Sequence, residues 1–181
     1  MGIKNQITDD GMYFLTMTVV NWIDIFTRPV YKHIIVEALQ YNIEHKGLVI
    51  SGWCLMSNHL HLLAEAEEGF HLSDILRDFK KFTSKAIIKE IIDNPQESRK
   101  KWLLNEFAFA GKILKRPQKY KFWQDGNEAK EIHTTAFLEQ KLDYIHNNPV
   151  KAEIVAEPED YLYSSAKDYA DEKGFVDIVF V

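Results

Sequence analysis

Residues 48 to 67 read LVISGWCLMSNHLHLLAEAE. Two apolar runs rich in strand formers meet at Ser57-Asn58, a pair of turn formers, so the stretch reads as a β-hairpin. The elements around it follow from local pattern. Upstream, Met12–Val19 is rich in β-formers and reads as a strand. From Pro29 onward, Val30, Ile34, Ile35, Ala38, Leu39 and Ile43 recur at helical spacing until Gly47 closes the run. Downstream, Ile75, Phe79, Phe82, Ile87 and Ile91 mark an amphipathic helix from Leu72 that stops before Pro95. Residues 95–122 are basic, laced with aromatics and too weakly patterned to assign. Ala129–His133 reads as a short strand. Thr134 then stands as an N-cap before Phe137, Leu138, Leu142 and Ile145, a helix that Pro149 is expected to terminate.

The resulting order, β-α-β-β-α-β, predicts an α+β fold: a ferredoxin-like antiparallel sheet with helices on one face, plus a C-terminal helix carrying Tyr144. FVDIVFV (residues 175–181) is a candidate terminal strand. The length of 181 residues suits one domain over 1–181, with a C-terminal extension from about 150. The single cysteine, Cys54, excludes an internal disulfide and a multi-cysteine zinc cage; Trp53, Leu55 and Met56 beside it predict a buried, inert thiol. The sequence shows no N-terminal apolar leader and no run of eighteen apolar residues, so no membrane contact and a cytoplasmic location are expected.

The net charge of −5 conceals an asymmetry. Between Arg77 and Lys121 thirteen basic residues stand against five acidic ones, a local balance of +8, which leaves −13 for the remainder. Either this is a patch that faces a polyanion, or it is a solvated helix surface with scattered lysines. Trp102, Tyr120, Phe122 and Trp123 in and beside it are candidate platforms for unpaired bases; Phe122 and Trp123 suit the core at least as well.

Within the hairpin, His59 and His61 are two apart, so on a strand they share one face roughly 7 Å apart at the backbone. That spacing suits two ligands of one ion, and it equally suits two solvent-facing histidines. In LDYIHNNPVKA (residues 142–152), Tyr144 and Asn148 are four apart and share one face of a helix. A phenol titrating at about 10 is a poor nucleophile at neutral pH, but a metal-bound phosphate makes attack feasible. The plain alternative is a helix-flank tyrosine with an asparagine cap.

Together NHLHLL (58–63) and DYIHNNPVKA (143–152) resemble the single-tyrosine HUH transposases of the insertion-sequence 200 type. The similarity is greatest to the REP-associated tyrosine transposase branch, which FWQDG (122–126) and EPEDYLYSSAKDY (157–169) also resemble. Ser57 departs from the proline that many relatives carry before Asn-His. The resemblance implies a transposase-type DNA strand transferase in which His59, His61 and Asn148 hold Mg²⁺ or Mn²⁺ and Tyr144 is the nucleophile. It further implies cleavage and rejoining of single-stranded or hairpin DNA through a 5′-phosphotyrosine intermediate, by a protein that acts alone or as a homodimer. Two other classes stand beside it: a domesticated hairpin-DNA-binding protein with little cleavage activity, and a metal phosphodiesterase that uses water.

Overall fold

The computed structural model describes Ile7 and residues 11–181, so the first part of the expected domain lies outside the described residues. Four strands form one sheet: β1 (Tyr13–Thr18), β2 (Leu48–Leu55), β3 (His59–Ala66) and β4 (Lys130–Glu131). Their order across the sheet is β2-β3-β1-β4, with every neighbouring pair antiparallel. Helix α1 (Pro29–Lys46) joins β1 to β2, and α2 (Leu72–Asp93) follows β3. This is the ferredoxin-like α+β arrangement expected from the sequence, with an additional helix α3 (Lys100–Lys112) before β4.

Alternation along the strands divides the sheet into two faces. Leu15, Met17, Leu60 and Leu62 are fully buried on one, where α1 and α2 pack against each other. Thr16, Thr18, His59 and His61 point to the other, because Thr16 lies opposite His61 and Thr18 opposite His59 in the β1–β3 register. Helix α4 (Thr135–Lys151) covers part of this second face. A β-bulge between Ile50 and Gly52 turns Gly52 toward α4. A Cβ on Gly52 would lie 2.8 Å from Leu142 Cδ1, so a side chain there would push the Leu142 methyl aside where α4 rests on the sheet.

Local chemistry explains the helix ends. Gly47 caps α1 with φ +67°, a conformation that suits glycine. Thr134 caps α4, its Oγ1 accepting from the Phe137 N–H at 3.2 Å.

Three expectations are corrected. The weakly patterned stretch contains α3, whose buried residues Leu103, Phe107, Ala110 and Gly111 do follow helical spacing. Trp102, Phe109 and Ile113 on its exposed side blur that pattern. Its start is fixed by buried Glu97, which accepts from the Tyr31 hydroxyl at 2.8 Å and pairs with Arg28 and Arg99. Pro149 does not end α4, which runs on to Lys151. Proline removes only its own N–H, and beyond it Ala152, Glu153 and Ile154 donate to the carbonyls of Asn148, Val150 and Pro149. Residues 175–181 form no strand and touch the β2 backbone through one bond, Val179 N–H to Ile50 O. The β2 edge is instead capped around Tyr163–Ser165, where Leu55 N–H donates to Tyr163 O and Ser165 N–H to Trp53 O.

Candidate active site

The two imidazoles meet as their strand spacing requires, with ring centroids 4.6 Å apart. His59 is oriented by its neighbour: Nδ1 lies 2.7 Å from Asn58 Oδ1. An amide oxygen only accepts, so Nδ1 carries the proton and the lone pair of His59 is on Nε2. The amide assignment is self-consistent, since Asn58 Nδ2 donates to two acceptors, Trp22 O at 3.2 Å and Asp24 Oδ1 at 3.3 Å. His61 Nδ1 lies 3.0 Å from Thr16 Oγ1, while its Nε2 is buried without any hydrogen-bond partner. Phe14 stacks on His61 at 5.4 Å.

Burial keeps both rings neutral. It lowers the titration of His59 below the ordinary imidazole value, and it pulls His61 down to about 3, with the neighbouring His59 adding to the effect. A neutral imidazole whose second nitrogen is held by a hydrogen bond is the form that ligates a metal.

Tyr144 stands over this pair from α4. Its ring meets His61 edge-on at 5.3 Å and Phe14 at 5.8 Å, and it keeps substantial solvent exposure. The side chains of Lys141 and Lys151 each place a cation 5.6 Å from its ring centroid. Four residues on, the Asn148 side-chain amide carries a second buried atom without a partner, Nδ2. The structure therefore brings His59, His61 and Tyr144 together. Asn148 follows one helical turn later, and its unpartnered atom is the amide nitrogen, a donor, rather than the oxygen that a metal would need.

Thr16, Phe14, Lys141 and Lys151 were not legible as site residues in the sequence. Thr16 and Phe14 depend on the β1–β3 register, which only the paired strands define. No group of three or more His, Cys, Asp or Glu side chains suited to a metal exists among the described residues. An ion at the histidine pair would draw its remaining ligands from an amide, water or substrate oxygen, which suits Mg²⁺ or Mn²⁺ better than a closed zinc site.

Away from this face, α2 and the 118–127 segment enclose an open cleft of 970 Å³. Of the thirteen basic residues between Arg77 and Lys121, seven line it: Arg77, Lys80, Lys81, Lys85, Lys89, Lys119 and Lys121. Lys80 is drawn inward to the carbonyls of Gln124 and Gly126, and burial lowers its titration to about 8. Tyr120 also lines the cleft. Trp123 is a core residue whose indole N–H donates to Thr83 Oγ1 at 3.0 Å, and Phe122 is equally buried. Cys54 is a free, buried thiol, pushed by burial up to about 12, as its apolar neighbours predicted. Among the described residues no helix is long and apolar enough to cross a membrane.

Comparison with known proteins agrees with this architecture. A solved REP-associated tyrosine transposase bound to a REP hairpin shares the fold, with a TM-score of 0.62 and 20% sequence identity over 100% of this chain and 94% of that one. No curated protein sequence matches the chain. The family model described as transposase, IS200 like, matches residues 9–106, a stretch that includes the whole hairpin and both histidines and ends before α4. Matched over more than half of its length, the chain belongs to the IS200-like transposase family.

Proposed function

We propose that this protein is a metal-dependent DNA strand transferase that cleaves and rejoins single-stranded or hairpin DNA through a 5′-phosphotyrosine intermediate on Tyr144. The observation that carries the reading is the edge of the exposed Tyr144 ring over His61, whose buried Nε2 has no protein partner. An unsatisfied buried nitrogen costs on the order of 1–3 kcal/mol, so it calls for a ligand.

His59 and His61 would hold the ion through Nε2, with the Asn148 amide oxygen as a third donor. Mg²⁺ or Mn²⁺ bound there supplies charge that polarises the scissile phosphate. Everything else falls to the chain. Asn58 and Thr16 fix the imidazole orientations, and Lys141 and Lys151 offset the charge of the arriving phosphate. The Tyr144 oxygen forms a bond to phosphorus as the bond from phosphorus to the 3′-oxygen breaks. The phenolic proton passes to solvent, and the departing oxygen takes one up to become a 3′-hydroxyl. One phosphodiester is exchanged for another, so a 3′-hydroxyl can reverse the step and rejoin strands without an external energy source.

The lysine-lined cleft is the proposed seat of a part of the DNA backbone away from the cleaved position, and a REP hairpin bound to a protein of the same fold supports that choice of partner. The reading is tested by incubating the protein with labelled hairpin and single-stranded oligonucleotides in Mg²⁺ or Mn²⁺. The expected products are an upstream fragment ending in a free 3′-hydroxyl and a downstream fragment that stays attached to the protein through its 5′-phosphate after denaturation. Cleavage leaving both ends free of protein would favour a water-using phosphodiesterase; tight binding without cleavage would favour a DNA-binding protein.

A further inference from the structure

Trp22 is the most conspicuous side chain that the chemistry above leaves unused. Its neighbours Val20 and Ile23 are buried, yet its own indole is 60% exposed. It occupies the left-handed region with φ +55°, directly after Asn21 at φ +53°. Asparagine tolerates that region; tryptophan does so only where its surroundings impose it. Here they do. Asn21 Nδ2 donates to Glu106 Oε2, and Asn58 Nδ2 donates to Trp22 O. The outcome is a largely exposed indole that meets His59 in an edge-to-face contact, ring centroids 6.4 Å apart.

The position in the site is specific. Ring contacts run in a row from Tyr144 to His61, from His61 to His59, and from His59 to Trp22. The exposed indole thus borders the histidine pair at the end away from the tyrosine. One amide, that of Asn58, both sets the tautomer of His59 and holds the Trp22 carbonyl, so the aromatic shelf and the imidazole keep a fixed relation. An exposed indole on an anchored backbone, beside a phosphate-handling site, fits an apolar planar group carried a short way from that phosphate. An unpaired nucleobase is such a group, and stacking on tryptophan accepts any base.

We propose that Trp22 is a stacking platform for an unpaired base next to the phosphodiester at the histidine pair. The inference rests on the single-stranded DNA substrate proposed above and adds the subsite that holds it. It also accounts for the strained turn, which presents the ring outward rather than into the core that takes its neighbours.

The test separates this subsite from the reaction itself. Binding is measured by fluorescence anisotropy in the Tyr144→Phe background, so that no cleavage interferes. The probes are a hairpin oligonucleotide with a random-sequence unpaired arm and the same hairpin with an arm of abasic nucleotides. Trp22→Gly removes the ring while suiting the left-handed backbone, and Trp22→Phe keeps an aromatic face. Trp22→Gly is expected to weaken binding of the arm with bases about tenfold, to leave the abasic probe within about twofold, and to retain the melting temperature. Trp22→Phe is expected to recover most of the loss. Equal weakening of both probes by Trp22→Gly, or no weakening of either, would overturn the proposal. Failure of the strand-transfer reading would show separately, as the absence of a covalent adduct with the unmodified protein.

Discussion

At the level of single residues, His61 concentrates the argument. Its spacing from His59 is visible in the sequence, but its partners are not, because Thr16 and Phe14 reach it only through strand pairing. The sequence pattern of His-Leu-His left two readings open; at 3% exposure His61 is no surface histidine, and its role as a ligand is the one proposed above. Thr16→Val keeps the shape of the side chain while removing the hydrogen bond to Nδ1. Loss of such an orienting partner is expected to weaken Mn²⁺ affinity roughly 10- to 100-fold, which titration calorimetry would measure. Unchanged affinity would mean that Thr16 does not orient a ligand.

At the level of elements, hydrophobic pattern and caps located most of the chain, because α1 and α2 bury one side and expose the other, and the two hairpin strands are apolar runs buried on both faces. Thr134 worked as a cap in the structure as its place in the sequence suggested. Thr134→Ala is expected to lower stability by about 1 kcal/mol in urea unfolding. The sequence reading failed where exposed aromatics broke the periodicity, in α3, and where proline rules were applied too strictly, at Pro149. A proline near the C-terminal end of a helix removes one bond, and the turn beyond it is tied by the three N–H groups of Ala152–Ile154. Helix α4 is further pinned by His146, whose Nε2 lies 2.9 Å from Ser165 Oγ. Burial lowers the titration of His146 from 6.5 to about 4, so the unfolded chain takes up this proton at higher pH than the folded protein does. Its contribution to stability is complete above pH 6.5 and declines as the pH falls toward 4, by about 1.4 kcal/mol per pH unit at most. His146→Gln is expected to flatten the dependence of the metal-free protein's stability on pH in that window; an unaltered slope would show that His146 does not contribute.

For the whole molecule, the distribution of charge matters more than its sum. The chain is acidic, yet seven basic residues converge on one cleft that a linear count locates only as a region. Six others in the same stretch lie elsewhere: Arg99 and Lys100, for example, cap backbone carbonyls at Asp24 and Ile92. If the cleft holds DNA phosphates, binding should weaken steeply as salt rises, and Lys81→Glu with Lys85→Glu should make the slope of log affinity against log salt shallower. A slope that the double variant leaves unaltered would put the backbone elsewhere on the surface. The two histidines lie within the part of the chain that matches the family, together with β1, β2, β3, α1 and α2, whereas β4 and the proposed nucleophile on α4 lie beyond the matched residues. The central claim is therefore tested most directly at Tyr144, by incubating the unmodified protein and Tyr144→Phe with a 5′- and 3′-labelled unpaired-arm hairpin in Mn²⁺ and resolving the products after denaturation. The account predicts a protein–DNA adduct whose modified peptide contains Tyr144, and no adduct with Tyr144→Phe although that variant still binds the probe. An adduct formed by Tyr144→Phe would contradict it.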